Sequence, residues 1–498
     1  MNFADALREQ LRRLVGAATV GSLDRAAAPP ALRDRIPGGP PLGRLPGVAA
    51  TRGASAADPL AGIEILPEYE ALECALREPS VPVVILSGRA GTGKSTAVRW
   101  ILSRLGGRAA VVAPTGLAAL NAGGQTIHSL FRFPPKLLQD EDIKPPSSNR
   151  DVFAHLEYLV IDEISMVNAN LMDAVGTFLD RHGPQRGRPF GGVKLLLVGD
   201  LLQLAPIVGE GDVRAYMERH YRSPFFFSAK CLGTMPFVAI ELERVLRQTE
   251  RDFIAILNGI REGSGLSDAV ERLNQLCVRS MPAANALEIH LVPTRAKAET
   301  INRERLDALP GPDAIYTSRV EGKFKLDPSK LPAPADLRLR RGARVVFLKN
   351  DPQRRWINGT LGTVDGLKQA SVVVKIPSLE HPVEVGQARW EQYEYRYLHQ
   401  EGRIDSAVIG AFEQIPLAPA WATTIHKAQG QSYEAVAVDL EAGTFAAGQA
   451  YVALSRCRTV GGLRLTRPLR EIDVKLDPQA LAFYRELRER SIRLPARK

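Results

Sequence analysis

The sequence predicts an α/β fold in two lobes, with a separate β-rich insert. Short apolar runs of the buried-strand type alternate with helical stretches, and each run gives way almost at once to polar residues or glycine. Four runs come early and three come late: Val83–Leu86, Ala110–Ala113, Leu159–Ile161, Leu195–Val198, Ile289–Val292, Ala435–Val438 and Leu463–Leu465. Because open α/β sheets bind ligands beyond the carboxyl ends of their strands, we expect the functional residues to follow these runs.

Length and composition indicate a globular protein with several domains. At about 150 residues per domain, the 498 residues predict roughly three domains. Lys and Arg number 65 against 55 Asp and Glu, a net charge of +10 that suits either a polyanionic partner or simply a basic surface. The four cysteines form no CxxC pair, so neither a zinc site nor a disulfide framework is expected. No apolar run approaches the roughly 18 residues of a membrane span, and the N-terminus has no secretory pattern.

Changes in composition predict the domain boundaries. Residues 1–57 predict an amphipathic helix and a flexible extension rich in Ala, Pro, Gly and Arg. The helix could be an arm that binds DNA or a partner, or a terminal helix with no separate role. A β insert is indicated by strand-like alternation and by the turn signal Asn358-Gly359. The expected divisions are 58–233 for the first lobe, with an insertion at 132–151; 234–335 for the first part of the second lobe; 336–415 for the β insert; and 416–498 for the rest of the second lobe and a C-terminal helix.

A complete phosphate-binding loop follows the first strand. Gly88 to Ser95 fits the pattern G-x-x-x-x-G-K-[ST] between a predicted strand and a predicted helix, the context that the motif requires. Glycines let the loop wrap closely round phosphate oxygens, and the helix N-terminus faces the same anion. We expect Lys94 to reach the outer phosphates and Ser95 to bind Mg²⁺. The predicted nucleotide-binding residues are Gly88, Gly91, Thr92, Gly93, Lys94, Ser95, Thr96 and, much later in the chain, Gly430.

An acidic pair ends the third early strand. Asp162 is placed to hold Mg²⁺, and Glu163 is placed to orient or deprotonate an attacking water. Such a pair can also be a helix cap, but beside a phosphate loop the catalytic interpretation is favoured. These residues predict hydrolysis of a nucleoside triphosphate and leave open what the hydrolysis drives.

Later segments bear on what the hydrolysis drives. Gln203, in a polar turn after the fourth early strand, could touch both the γ-phosphate and a nearby DNA path. His426 and Lys427 lie in a cluster of hydroxyl, imidazole, ammonium and amide groups from Trp421 to Gln431, a mixture that suits DNA phosphates and nucleotide. Arg247 and Arg456 fall in predicted helical stretches, and an arginine from a second lobe can neutralise charge on the γ-phosphate. The alternatives are a polar turn, a structural histidine and ordinary surface charges.

Together these motifs resemble those of the PIF family of superfamily 1B helicases, in its compact bacterial form. Matching segments run in family order from Gly88 to Arg458 and cover about three quarters of the chain. The further matches are Ala113-Pro114-Thr115-Gly116, Thr126-Ile127-His128-Ser129-Leu130-Phe131, Pro189-Phe190-Gly191-Gly192, Val292-Pro293-Thr294 with Ile301-Asn302, and Asn358-Gly359 with Gly362.

The resemblance implies a fold and a set of residue roles. The fold would be two RecA-like P-loop lobes, with a wedge insertion at 132–151 in the first and an SH3-like all-β insert in the second. ATP and Mg²⁺ would be the cofactors, with Mg²⁺ at Ser95 and Asp162. The implied catalytic residues are Lys94, Asp162, Glu163, Gln203 and the two γ-phosphate arginines Arg247 and Arg456. The implied DNA-binding residues are Pro114, Thr115, Thr126, His128, Ser129, Thr294, His426 and Lys427.

The expected function is that of an ATP-dependent DNA helicase, monomeric and located in the bacterial cytoplasm at the nucleoid. It would move 5′ to 3′ on single-stranded DNA and unwind forked duplex in replication, repair or recombination, with G-quadruplexes and R-loops as further candidate substrates. A RecD-like or relaxase helicase shares the phosphate loop, but the Pro189–Gly192 stretch and the lack of a nuclease or relaxase motif count against it. An ATPase that remodels proteins would lack the cluster around His426. A DNA-binding protein without catalysis would not keep Lys94 and Glu163.

Two positions depart from the family pattern. Residues Leu66–Ala71 contain no glutamine, although the family usually has one near the adenine pocket, so the means of adenine recognition stays open. Arg295 stands where an asparagine is common, so the DNA contact there is expected to differ.

Overall fold

The computed structural model describes most of the chain after the N-terminal extension. The described residues are 64–147, 149–233, 235–246, 248, 250–278, 287–324, 331–353, 355–440 and 443–492. The predicted helix and extension at 1–57 therefore lie outside the described residues, and so does Arg247. Within these ranges, no helix has the length and apolar character needed to cross a bilayer.

The first lobe is built on a six-stranded parallel sheet in the order β3-β2-β4-β5-β1-β6. Its strands are nearly continuous apolar runs, as expected where helices cover both faces of a sheet. The strands are β1 Val83–Gly88, β2 Ala109–Ala113, β3 Gln125–Thr126, β4 Tyr158–Ile161, β5 Lys194–Gly199 and β6 Phe237–Leu242. The helices are α1 Pro67–Arg77, α2 Lys94–Arg104, α3 Gly116–Ala122, α4 Ile127–Phe131, α5 Arg150–His155, α6 Ala169–His182 and α7 Asp212–His220.

Strand β6 corrects the predicted boundary between the lobes. The division at residues 233 and 234 placed this strand in the second lobe, but β6 pairs in parallel with β1 from Phe237 to Leu242. Its side chains Val238, Ile240 and Leu242 belong to the core of the first lobe. The chain therefore leaves the first lobe only after Leu242, and residues 243–246, where a helix was predicted, are not helical.

The second lobe has a four-stranded parallel sheet in the order β18-β7-β19-β20. The sheet confirms the three late strands of the sequence prediction. The strands are β7 Ile289–Val292, β18 Ala422–Thr424, β19 Val436–Val438 and β20 Leu463–Leu465. The helices are α8 Arg251–Glu262, α9 Leu266–Cys277, α10 Arg295–Asp307, α11 Gln449–Leu454 and α12 Pro478–Glu489. The last helix, α12, returns to the first lobe, where the Tyr484 hydroxyl donates to Glu241 at 2.6 Å and Phe483 stacks on Phe227.

The β insert lies between α10 and β18 and is longer than predicted. It begins at Ala314 and ends at Pro419, rather than spanning 336–415. It forms three sheets, in the orders β14-β13-β12-β11-β17, β10-β8 and β15-β16-β9. The strands are β8 Ala314–Thr317, β9 Arg319–Gly322, β10 Asp336–Leu339, β11 Arg344–Phe347, β12 Leu361–Leu367, β13 Val372–Lys375, β14 Val383–Val385, β15 Ala388–Leu398, β16 Arg403–Gln414 and β17 Leu417–Pro419. The SH3-like character of the insert stays a prediction.

The hairpin of β15 and β16 fastens the insert to the first lobe. The Tyr395 hydroxyl accepts the Val111 N–H at 2.8 Å and lies 3.2 Å from the carbonyl oxygen of the same residue. Next to it, the Tyr397 ring stacks on the His155 ring at a centroid distance of 3.5 Å. These contacts place the hairpin along β2 of the first sheet and against the end of α5.

Candidate nucleotide site and nucleic-acid cleft

The phosphate loop joins β1 to α2 as predicted. Gly93 has φ +90°, which glycine adopts without steric cost, and a Cβ atom at Gly88 would lie 2.6 Å from the Thr92 hydroxyl. The Lys94 ammonium donates to the carbonyl oxygens of Gly88 and Arg89 at 2.7 and 2.9 Å, so it lies inside the curl of the loop. Burial lowers the pKa of Lys94, an effect that three nearby carboxylates oppose.

Those carboxylates come from the ends of β4 and β5: Asp200, Glu163 and Asp162. Burial raises the pKa of Asp162, whose N–H donates to the carbonyl of Val112 at 2.8 Å. Glu163 has φ +51°, a conformation uncommon for any residue except glycine, and such strain is often found at functional sites. Burial, reinforced by the charge of Asp162, raises the pKa of Glu163 to about 7. A carboxyl group poised near neutral pH is suited to accept a proton from water.

Asp162 and Ser95 fit the predicted Mg²⁺ site. Magnesium usually takes one or two protein oxygens together with phosphate oxygens and water, and these residues supply a carboxylate and a hydroxyl. Ser95 is exposed in the first turn of α2, beside the loop. The Asp162 carboxylate interacts with the charge of Lys94, which places it at the same loop. Magnesium bound there would neutralise phosphate charge and align the reacting groups.

Two glutamines connect Glu163 to Asp200. The side-chain amide nitrogen of Gln429 lies 3.0 Å from Glu163 Oε2 and 3.4 Å from Gln203 Oε1. The Gln203 amide nitrogen in turn donates to Asp200 Oδ2 at 3.1 Å. Gln429 comes from the second lobe, so Gln203 lies between the lobes, where a residue that senses the γ-phosphate would have to be. Gln429 was not among the predicted site residues, although it lies in the predicted cluster around His426.

Arg456 follows α11 and is buried beside the same carboxylates. Its guanidinium donates to the carbonyl oxygens of Val452 and Gln431 at 2.8 and 3.3 Å and to the Ser455 hydroxyl at 2.8 Å. All three acceptors are neutral, and burial lowers the pKa of Arg456. Keeping the guanidinium charged in this place therefore costs free energy. A buried cation of this kind is ready to receive an anion from the cleft. Its partner in the prediction, Arg247, lies outside the described residues, and its role stays a prediction.

The second lobe also touches the phosphate loop through residues that the sequence analysis missed. The Ala90 N–H donates to the Tyr451 hydroxyl of α11 at 3.2 Å. Just before α11, a Cβ atom at Gly448 would lie 2.2 Å from the carbonyl oxygen of Gln203, so only glycine permits this approach. The contacts join residues far apart in the chain, and no local pattern marks them. The phosphate loop therefore forms one wall of a cleft whose other wall is the second lobe.

A second cleft, of about 800 Å³, lies between the first lobe and the β insert. Its lining includes the predicted DNA-binding residues Thr126, His128 and Ser129. Lys144 and Lys323 add positive charge to the lining, where Arg132 and Lys136 form ion pairs with Glu394 and Asp142. Thr126 and Thr115 also cap the short helices α4 and α3, because their hydroxyl oxygens accept backbone N–H groups at 3.1 and 3.2 Å. Pro114 and Thr115 follow β2, so this group lies at the carboxyl ends of β2 and β3.

The remaining predicted DNA-binding residues gather on the second lobe. Thr294 follows β7, and His426 and Lys427 follow β18, which pairs directly with β7. Burial lowers the pKa of His426, whose ring lies parallel to that of Phe445 at a centroid distance of 5.8 Å. Phe445 is 60% exposed and was missed by the sequence analysis. The structure thus brings these residues to the carboxyl ends of the second sheet, and their contacts with DNA stay predictions.

The raised pKa of Glu163 leads to a pH prediction. If Glu163 is the base, its carboxylate is lost as the pH falls through about 7, so hydrolysis should weaken on the acidic side. We expect kcat/KM for Mg·ATP, which reports the free enzyme, to fall by about tenfold per pH unit below that point. Steady-state ATPase assays across the neutral range would measure it. A profile that stays flat from mildly acidic to mildly basic pH would contradict the assignment.

The chain is similar to named helicases along most of its length. A family model described as PIF1-like helicase matches residues 69–269. The ATP-dependent DNA helicase Pif1 of Bdellovibrio bacteriovorus is 30% identical over 438 residues, which cover 86% of this chain and 93% of that protein. The ATP-dependent DNA helicase PIF1 of Xenopus laevis is 30% identical over 422 residues, covering 82% of this chain. The chain spans only 63% of that longer relative, which is less than two thirds.

Solved structures agree with the sequence comparison. Pif1 from Bacteroides sp in complex with ADP-AlF4 is 31% identical, has a TM-score of 0.78, and is matched over 86% of this chain and 98% of that one. The same protein bound to ssDNA is 32% identical, with a TM-score of 0.62 over 86% and 98% of the two chains. The prediction of two RecA-like lobes is thereby confirmed. A bacterial relative matched over nearly its whole length and a shared fold show that the chain belongs to the PIF1-like helicase family.

Proposed function

We propose that this protein is an ATP-dependent DNA helicase that moves 5′ to 3′ on single-stranded DNA and unwinds duplex. The observation that supports it most strongly is the cleft where Gln429 and Arg456 of the second lobe meet Glu163 and Gln203 of the first. A nucleotide on the phosphate loop would touch both lobes. Its binding and hydrolysis would therefore change how the lobes approach each other.

In the proposed reaction, Lys94, Ser95 and Asp162 hold Mg·ATP from the first lobe. Glu163 accepts a proton from the attacking water as the oxygen–phosphorus bond forms and the bond to the leaving diphosphate breaks. Arg456, with Arg247, neutralises the charge that spreads over the transferred group. Gln203 contacts the nucleotide and, through Gln429, the second lobe. Hydrolysis would remove the γ-phosphate from this set of contacts and let the cleft open.

Movement of the lobes would move DNA because each lobe carries a DNA-binding group. A single strand lying across both sheets would contact Thr115, Thr126 and His128 on one lobe and His426 and Lys427 on the other. Contacts of this type go mainly to phosphates, so binding should depend strongly on salt and weakly on base sequence. One structure of Bacteroides Pif1 is bound to ssDNA, and another similar structure concerns DNA unwinding at forked dsDNA by two coordinating Pif1 helicases. We propose forked DNA as a substrate here, with a monomer as the translocating unit, in the bacterial cytoplasm.

The insertion at 132–151 is the proposed wedge. It is anchored rather than loose, because Phe133 and Leu138 are buried in the core of the first lobe. The Asn170 side chain also makes two hydrogen bonds, each of 2.9 Å, with the backbone of Leu138. A rigid projection beside the second cleft could separate the strands as one of them is drawn in.

Strand polarity is tested with two partial duplexes, one with a 5′ single-stranded tail and one with a 3′ tail. We expect ATP- and Mg²⁺-dependent unwinding of the 5′-tailed substrate only. Lys94→Ala should abolish it, since the phosphate loop would lose its ammonium. Unwinding of only the 3′-tailed duplex would reverse the polarity, and an ATPase indifferent to DNA would favour a protein-remodelling role instead.

A further inference from the structure

Arg261 and Asp200 form a fully buried ion pair next to the nucleotide cleft. Arg261 Nη2 and Nε lie 2.7 and 3.1 Å from Asp200 Oδ1, and both side chains are 0% exposed. Arg261 also contacts Glu262 at 3.1 Å, and the rings of Tyr484 and Tyr451 lie 4.4 and 6.0 Å from the guanidinium carbon. Asp200 follows β5 of the first lobe, whereas Arg261 is in the last turn of α8, which packs in the second. The pair therefore joins the two lobes.

Stability alone does not account for such a pair. Desolvation of two charges largely offsets their attraction, and apolar side chains of similar volume often serve as well. Asp200 has a further contact, however, because its Oδ2 accepts a hydrogen bond from the Gln203 side chain at 3.1 Å. The ion pair thus continues into the residues that surround Glu163.

The charge of Asp200 dictates how those residues are oriented. An ionised carboxylate only accepts hydrogen bonds, so Gln203 must turn its amide nitrogen toward Asp200 and its amide oxygen toward Gln429. Gln429 then presents its nitrogen to that oxygen, and the same nitrogen donates to Glu163 at 3.0 Å. Burial would raise the pKa of Asp200, but the charges of Arg261 and Lys94 outweigh it and hold the pKa below its usual value.

We propose that Arg261 is a positioning residue for ATP hydrolysis: by keeping Asp200 an ionised acceptor, it fixes the amide orientation of Gln203 and, through Gln429, the placement of Glu163. Without Arg261, Asp200 would lose the larger of the two charges that hold its pKa down, and its protonated form could donate as well as accept. The Gln203 amide could then take either orientation, and the hydrogen bonds through Gln429 would no longer hold Glu163 in one position. The proposal rests on the proposed role of Glu163 and Gln203 in hydrolysis.

The chain of contacts also depends on the approach of the lobes. Asp200 and Gln203 belong to the first lobe, and Arg261 and Gln429 belong to the second. Gln429 therefore reaches the Glu163 carboxylate only when the two lobes meet, so premature hydrolysis in an open cleft would be slow.

The test is a double-mutant cycle in the full chain with ATP, Mg²⁺ and a single-stranded DNA. Arg261→Met is made in the wild-type protein and in Gln203→Ala. We expect Arg261→Met alone to lower kcat by about tenfold or more while KM for ATP changes by less than about threefold. In the Gln203→Ala background the further loss should be less than about twofold, because the two residues act in one chain. Arg261→Lys, which keeps a charge opposite Asp200, should recover part of kcat.

Arg464→Met is the matched control. Arg464 makes a bidentate, largely buried ion pair with Glu288 at 2.6 and 2.8 Å in the second lobe, and it has no hydrogen bond with Gln203 or Gln429 among the described residues. It should lower thermal stability and leave kcat unchanged. If Arg261→Met does not fold, Asp200→Asn/Arg261→Met has no unpaired buried charge, and it should show the same loss of kcat.

Three results would overturn the proposal: an unchanged kcat in the folded Arg261 variants, an equal loss in both backgrounds, or a full kcat in Gln203→Ala. An equal loss would mean that Arg261 acts on the fold and not through Gln203. Unwinding by the wild-type protein decides the proposed function separately. If the wild-type protein unwinds DNA and its kcat does not depend on Arg261, the inference is contradicted and the proposed function is still supported.

Discussion

Glu163→Gln is expected to abolish unwinding and to lower kcat for ATP hydrolysis by about 10³-fold, within the range for loss of a general base. The amide has nearly the size and shape of the carboxylate but cannot accept the proton of the attacking water. Binding of Mg·ATP should persist or tighten. The Glu163 carboxylate adds to the negative charge beside Asp162, and the substitution removes that contribution. Steady-state ATPase assays, with nucleotide and single-stranded DNA binding measured in parallel, would separate chemistry from binding.

Glu157→Gln is the control for this experiment. Glu157 immediately precedes β4, the strand that leads to Glu163, and its side chain is 47% exposed in a surface ion pair with Arg108. The same substitution there should leave kcat within about twofold, because exposed pairs contribute little. If Glu163→Gln kept more than about a tenth of the wild-type kcat, another group would have to be the base.

The local parts of the site could be predicted from the sequence because their functional residues are consecutive in the chain. The phosphate loop from Gly88 to Ser95 carries its own glycines, lysine and hydroxyl, and it forms the predicted turn between β1 and α2. Apolar runs of three or four residues marked seven of the ten described strands in the two sheets, since a strand covered on both faces tends to be a continuous apolar run. Asp162 and Glu163 lie at the end of β4 because the apolar run that marks this strand stops immediately before them.

Contacts between distant segments could not be predicted in this way. The Tyr451 hydroxyl meets the Ala90 N–H across 361 residues, and the sequence around Tyr451 is simply that of a buried helix. Asp200 and Arg261 resemble an ordinary turn residue and an ordinary helix charge until the fold buries both. Strand β6 was missed for a related reason, because its place at the edge of the first sheet depends on pairing with β1, some 150 residues earlier.

Arg456→Ala is the second change for which we expect a very large effect, a loss of kcat of about 10³-fold or more, as for other arginines that reach the γ-phosphate. Arg456→Lys should recover little, because an ammonium cannot present the planar set of donors that a phosphate oxygen and its neighbours require. The fold should tolerate either change, since the acceptors of Arg456 are neutral and its buried charge is held at a cost. Thermal unfolding of the variants would check this.

The nearby Arg458 makes a demanding comparison. It lies two residues further on and forms a surface ion pair with Glu434 at 2.8 Å, with its side chain 38% exposed. Arg458→Ala should leave kcat within about twofold, as expected for an exposed pair. A similar loss in both variants would point to damage to the segment after α11. A loss confined to Arg456, with thermal stability retained, would mean that the second lobe supplies a charge which the first lobe cannot replace, and that hydrolysis therefore requires the two lobes to meet.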